Sequence, residues 1–450
     1  VAPRIAFKAF ADAGGKAVML VITVVAARRL NADPFGIMAF AMATGWLLGV
    51  ATDAGLSMHL ARETARHPHH GRRFLVETLS LRAGLAFLAA TILVLATPNL
   101  VPRHWQVQFL LVVFAQLCGA MLETIAHYFR GLQRSEIESA IHLAHRLTTL
   151  VLAMAVLWWW RRLDYLGVAL LVPGVIAVLV SLGIALQLSG AGLSRRSGLS
   201  AAEAESRPAS ARQASSGAVA PKRPSGREGG EPGAGSLTPA NFFRNIFPLG
   251  AAVLISALYF RIDVYFIQQW HGFQPVGGYN AAFRLVEALR LLPAAVMAVT
   301  FPMLVRTSDL QLVRTIGGRL AAAGLVLAAV CGLGATAIVP LIYGESYAYA
   351  APAFAVLSLA LPLFFLNYAL THQVIGWDGQ RAYLAIVTLA LAGNVAANFV
   401  LVPARGIIGA AIATVLTEVI VTAGCLYTLV HHEGSSRGFN TRVQHEGSPT

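Results

Sequence analysis

Residues 263–302 read DVYFIQQWHGFQPVGGYNAAFRLVEALRLLPAAVMAVTFP. Two long apolar runs flank the Gly277-Gly278 pair, yet Asp263, Arg284, Glu287 and Arg290 lie within them. A charged side chain at bilayer depth costs several kcal/mol unless it meets a wet cavity or a partner. The stretch therefore reads as membrane-spanning helix carrying charges for a purpose. Arg284, Glu287 and Arg290 recur every third residue, so they share about a third of the helix circumference and address one space.

The rest of the chain has the same character. Its 450 residues are 56% hydrophobic and 12% charged, with mean hydropathy +0.64, far more apolar than an ordinary soluble domain. Spanning a bilayer takes about 20 apolar helical residues. Windows of that kind lie near residues 9–29, 34–58, 74–98, 104–129, 140–160 and 165–188, then near 241–268, 275–306, 316–343, 350–375, 381–402 and 407–430. The expected fold is all-α, a polytopic membrane protein of about 12 transmembrane helices in two six-helix lobes around a central cavity. The first apolar run continues past Ala27 without a cleavage pattern and is expected to be a retained span rather than a signal peptide.

The expected domains are a first lobe at 1–188, a disordered cytoplasmic linker at 189–240, a second lobe at 241–430 and a disordered cytoplasmic tail at 431–450. Linker and tail are rich in Ser, Gly, Arg and Glu and poor in large apolar side chains, so neither is expected to build a core. Most of the 34 Lys and Arg fall on one side if both termini and the linker face the cytoplasm. The pairs Arg28/Arg29 and Arg161/Arg162 run against that assignment. Lobes that both begin inside are parallel repeats about an axis along the membrane normal. Pro34-x-Gly36 with Ala41 returns as Pro275-x-Gly277 with Ala282.

Further residues form a pattern: Phe35-Gly36, Asp53-x-Gly55-Leu56 with Arg62-Glu63, Gly131-Leu132, Val276-Gly277-Gly278-Tyr279-x-x-Ala282-x-Arg284, Phe301-Pro302, and Tyr343-Gly344-x-x-Tyr347. It ends with Asn394 and Asn398 leading to Pro403-x-x-Gly406-x-x-Gly409-Ala410-Ala411. This pattern resembles the polysaccharide-biosynthesis (Wzx-like) family of lipid-linked oligosaccharide flippases. That family belongs to the superfamily that also holds multidrug and toxin extruders and lipid II flippases. Met38 stands where the family often has an aromatic residue. The resemblance implies a flippase of the bacterial inner membrane, moving a polyprenyl-pyrophosphate-linked oligosaccharide to the outer leaflet for cell-surface polysaccharide synthesis. It also implies a glycan polymerase and glycosyltransferases as partners, with membrane lipid as the surroundings.

For such cargo the candidate anion-binding residues are Arg261, Arg284, Arg290, Lys16 and Arg146, since a guanidinium grips phosphate with two parallel hydrogen bonds. Asp53, Glu123, Asp263 and Glu287 are candidates for a coupling proton or cation. The alternative is structural: ion pairs such as Arg261 or Arg284 with Asp263 or Glu287, orienting helices without touching cargo. Pro173, Pro248, Pro293 and Pro362 lie inside spans and bend them.

Other chemistries lack their residues. Cys118, Cys331 and Cys425 are isolated, so neither a disulfide frame nor a zinc site is expected. His142 and His145 share a helix face but find no further ligand, and the +13 net charge is read through topology rather than nucleic-acid binding. Gly14-Gly15-Lys16-Ala17 lacks the first glycine and the Ser or Thr of a nucleotide loop. No cofactor, no metal and no enzyme activity are expected. Three rivals remain: a cation-coupled multidrug or metabolite exporter on the same fold, a membrane polymerase or ligase, and a scaffold for a glycan-assembly complex. The short outer loops weigh against the polymerase.

Overall fold

The computed structural model describes residues 2–205, 247–306, 310–377 and 379–446. Among these residues the elements are helical. The first half comprises α1 (Ala2–Arg29), α2 (Ala32–Asp53), α3 (Leu56–Arg66), α4 (Gly71–Leu100), α5 (Gln106–Gly131), α6 (Ser135–Trp159) and α7 (Leu163–Glu205). The second comprises α8 (Phe247–Arg261), α9 (Asp263–His271), α10 (Phe273–Leu289), α11 (Leu291–Arg306), α12 (Leu310–Leu333), α13 (Ala335–Tyr343), α14 (Ala351–Ser358), α15 (Leu361–Gly376) and α16 (Gln380–Glu446).

Eight helices among the described residues are long and apolar enough to cross a membrane, or nine if the bent pair Glu345–Ser358 and Leu361–Gly376 is one span. The sequence reading placed twelve windows. Part of the difference lies in α16, which turns at Gly406, where φ is 55° and ψ −133°. That left-handed backbone suits glycine, and it divides one continuous assignment close to the expected 402/407 boundary. The expected span 34–58 is also broken, by left-handed Ala54 and Gly55 between α2 and α3. Two assignments run longer than expected. Positions 189–205 continue α7 and 431–446 continue α16; neither stretch contains a proline, and the Ala, Leu, Arg and Glu of 189–205 favour helix. The remaining linker and tail positions, 206–240 and 447–450, lie outside the described residues.

The interior is mainly apolar but also takes in charged and amide side chains, while many large apolar side chains face outward. Phe87, Leu95, Leu325, Leu333, Leu341 and Val400 are exposed, while Arg82, Arg261, Asp263, Asn398 and Glu418 are buried. Lipid covers apolar surface at no loss, whereas polar groups must find partners inside the protein. Each half packs within itself: α5 on α2 and α7, and α1 on α6. In the second half α16 packs on α8, α9 and α15, and α12 on α15.

The halves meet along α2, which contacts α10 and α8. At one end Gly36 sits so close to the Phe273 carbonyl that no Cβ fits between them. Farther along, the Tyr265 hydroxyl donates to Thr44 at 2.9 Å, and the Trp46 and Phe260 rings lie 6.3 Å apart. Near the other end Gly250 abuts the Ala54 carbonyl. At the Gly36 end Arg28 reaches across to the end of α13, donating from Nε to the Ile342 carbonyl at 2.7 Å and from Nη2 to that of Leu341. A cavity of about 650 Å³ opens along the seam, lined by Leu47, Leu48 and Ala51 of one half and Leu258, Ile262 and Phe266 of the other.

Candidate functional site

The second half gathers its charges where α8, α10 and α15 meet. Arg284 and Glu287 project from successive turns of α10, and Arg290 caps it. Arg261 ends α8. Both Arg261 and Arg284 donate to the same atom, Oε2 of Glu287, at 3.2 Å from Nη2 of Arg261 and 2.9 Å from Nη1 of Arg284. The Arg261 side chain is only 6% exposed, against 20% for Arg284 and 36% for Glu287. The cluster therefore opens through the two α10 residues.

Aromatic faces replace water around the guanidinium groups. Arg261 lies 4.4 Å from the Phe283 ring centre. Arg290 sits 4.4 Å from that of Phe260 and 4.3 Å from that of Phe364. A cation over a ring face gains roughly 0.5–2 kcal/mol, most where water is excluded. The Nε groups of Arg284 and Arg290 are buried without a hydrogen-bond partner among the described residues. Arg261 and Arg284 thus share one hydrogen-bonded carboxylate, buried Asp263 and Glu418 lie within electrostatic reach of Arg261 and Arg290, and two of the N–H donors are unmet.

Asp263 stands apart from this grouping. Its oxygens accept from the Tyr279 hydroxyl and from the Val264 N–H, and Tyr279 lies 3.1 Å from the Thr414 hydroxyl. It shares the neighbourhood of Arg261, but its hydrogen bonds tie α9 to α10 and α16.

The first-half candidates form separate groups. Asp53, at the end of α2, accepts from Arg82 Nη1 at 2.6 Å and from Ser57. Arg82 also donates to the Gly49 carbonyl at 3.0 Å and to Thr124. This set clasps the break between α2 and α3. Glu123 takes a 2.7 Å bond from Arg130, which also holds Glu138 at 2.6 Å. His142 is 3.8 Å from Glu123. The Arg146 side chain packs on Gly15 of α1; Lys16 follows in α1, and its side chain lies outside the described residues.

Two charges buried inside apolar runs went unassigned in the sequence. Arg82 is 3% exposed and Glu418 4%. Glu418 accepts from Asn367 at 2.8 Å, Thr422 donates to Asn367 at 2.8 Å, and Arg290 acts on Glu418 electrostatically. Each is a lone charge in an otherwise apolar run, LSLRAGLAF and VLTEVIV, and that isolation was the available signal.

Residues 7–191 match a family model described as polysaccharide biosynthesis protein, the family to which the sequence motifs point. No curated protein matches the chain in sequence. Among solved structures the chain is similar to the lipid II flippase MurJ in an inward closed conformation, with TM-score 0.65 and 11% identity over 94% of this chain and 87% of that one. It is also similar to an outward-facing multidrug resistance MATE family transporter of the MOP superfamily, with TM-score 0.61 and 14% identity over 96% of each chain. A mutant of the Vibrio cholerae MATE transporter VcmN gives TM-score 0.58 and 14% identity over 96% of this chain and 95% of that one. At these identities the likeness is one of fold: an all-helical polytopic membrane architecture.

Proposed function

We propose that this chain is a flippase that translocates a polyprenyl-pyrophosphate-linked oligosaccharide precursor across the bacterial inner membrane, by alternating access, for cell-surface polysaccharide synthesis. The observation that carries this reading is the Arg261–Arg284–Arg290 group, in which two arginines share a single hydrogen-bonded carboxylate and the Nε donors of Arg284 and Arg290 are unmet. An unmet donor inside a membrane bundle is costly, and a diphosphate supplies acceptor oxygens, with negative charge, to the donors that lack them. The polysaccharide-biosynthesis match over residues 7–191 supports the same cargo class.

In this reading the Arg28 end of the seam faces outward, both termini are cytoplasmic, and the contacts at Gly36 and Arg28 close the path to the outside. The cargo head group enters from the cytoplasmic side and meets the α10 arginines while its polyprenyl tail stays in lipid. Relative movement of the halves then reverses the opening. The chain performs no covalent chemistry, and the glycan polymerase and glycosyltransferases are its functional partners. Lys16 and Arg146 are assigned to the head group from the first half, and Asp53, Glu123 and Asp263 are the candidates for ion coupling.

The second reading is a cation-coupled exporter of drugs or metabolites, favoured by the MATE-like fold. The two separate in a single experiment. Purified protein in liposomes carrying a fluorescent polyprenyl-pyrophosphate sugar is assayed for delivery to the opposite leaflet, wild type against Arg261→Ala and Arg284→Ala. The flippase reading requires delivery by the wild type and its loss in both variants. Ion-driven efflux of small cations with no lipid delivery would support the exporter.

A further inference from the structure

We infer that Glu287 is a built-in substitute for the cargo's phosphate: a resident carboxylate that occupies the anion site between Arg261 and Arg284 and that arriving diphosphate displaces. This deepens the flippase reading and rests on it.

Both arginines converge on one oxygen, Oε2, at 3.2 Å and 2.9 Å. A carboxylate placed only to orient helices would serve with either partner. Held by two, it occupies the position that a bridging phosphate oxygen would take. Arg290 adds a third cation that rests on Phe260 and Phe364, with Glu418 in electrostatic reach, and makes no hydrogen bond to Glu287. The Nε donors of Arg284 and Arg290 also go unmet. One carboxylate brings one negative charge, whereas a diphosphate diester brings two and more acceptor oxygens. The larger anion therefore outcompetes Glu287 without making the contest one-sided.

Glu287 is also more exposed than either arginine it bridges, its side chain at 36% against 6% for Arg261 and 20% for Arg284. It can rotate away without opening the aromatic packing that holds Arg261 and Arg290. When the cargo leaves, the carboxylate returns and pairs again with Arg261 and Arg284. The consequence is a site whose cargo affinity is lowered by internal competition, because only the fraction with Glu287 displaced is competent to bind. That serves release, which a flippase needs as much as capture.

The test uses the full-length chain in nanodiscs and inorganic pyrophosphate as the probe, with affinity measured by calorimetry and lipid-linked cargo delivery measured in liposomes. Glu287→Gln keeps the shape and removes the charge. Pyrophosphate should bind it about tenfold more tightly than wild type, with cargo delivery slowed because release is hindered. Glu287→Asp, one methylene shorter, no longer bridges both arginines and should fall between the two; it decides the matter if the glutamine variant does not fold. Unchanged or weaker pyrophosphate binding in a folded variant, with binding by wild type intact, overturns the substitute role and leaves the flippase reading standing. No pyrophosphate binding by wild type or either variant overturns both.

Discussion

Arg82 of α4 and Asp53 at the end of α2 form a 2.6 Å ion pair at the point where left-handed Ala54 and Gly55 turn the chain into α3. Arg82 also serves Gly49, Ser57 and Thr124, so one guanidinium holds both sides of the break. Removing Arg82 leaves Asp53, 27% exposed, without its cation, and each lost hydrogen bond to a charged group costs about 1.5–3 kcal/mol. Arg82→Ala should therefore lower the melting temperature in detergent sharply, and Arg82→Ala with Asp53→Asn should recover part of that loss. A melting temperature close to wild type in the single variant would show that Asp53 is free for another task, including ion coupling.

Arg284 offers a sharper test of chemistry than of stability. Losing a hydrogen bond to a charged group costs about 1.5–3 kcal/mol, so Arg284→Ala should reduce cargo delivery roughly ten- to a hundredfold. Arg284→Lys should restore little of it, since an ammonium lacks the planar fork that meets a phosphate at two points. Full rescue by lysine would mean that only net charge matters there.

At the seam, Gly36 leaves no room for a Cβ against the Phe273 carbonyl. Gly36→Ala should weaken that contact by about 1–3 kcal/mol, the usual range for overpacking, and shift the population toward conformers parted at the Arg28 end. Spin-label distances between α2 and α10 at that end should lengthen or broaden. An unchanged distance distribution would rule out Gly36 as a closing contact.

His59 gives a pH signature outside the spans. Burial, with Arg62 adding to it and Glu63 opposing, holds its ring below the ordinary value of 6.5, and Nε2 is buried without a partner among the described residues. The unfolded chain therefore binds a proton at a pH where the folded protein does not. Stability from this residue is present above 6.5 and is lost as pH falls below it. The melting temperature should decline between pH 7.5 and 5, and His59→Asn should flatten part of that slope. An identical slope in the variant would remove His59 as its source.

How much of this was legible beforehand depended on sequence distance. The three-residue spacing of Arg284, Glu287 and Arg290 is a local property of one helix, so their shared face could be read directly. Asp263 and Tyr279 are paired across the turn between α9 and α10, and no periodicity reports such a contact. Arg82 and Glu418 were visible as lone charges, but their partners come from other helices: Asp53 for the first, Asn367 for the second. The helix breaks were harder still. Ala54 carries a positive φ that alanine composition does not announce, whereas Gly406 beside Pro403 was a recognisable boundary. The length of α7 was missed because a segment unable to build a core can still be helical.

The seam along α2 touches the opposite half at four heights, from Phe273 through Tyr265 and Phe260 to Gly250. A join distributed in this way behaves like the spine of a book. In the proposed cycle that spine parts from one end, the Gly36 and Arg28 contacts releasing while the Gly250 contact at the other end holds.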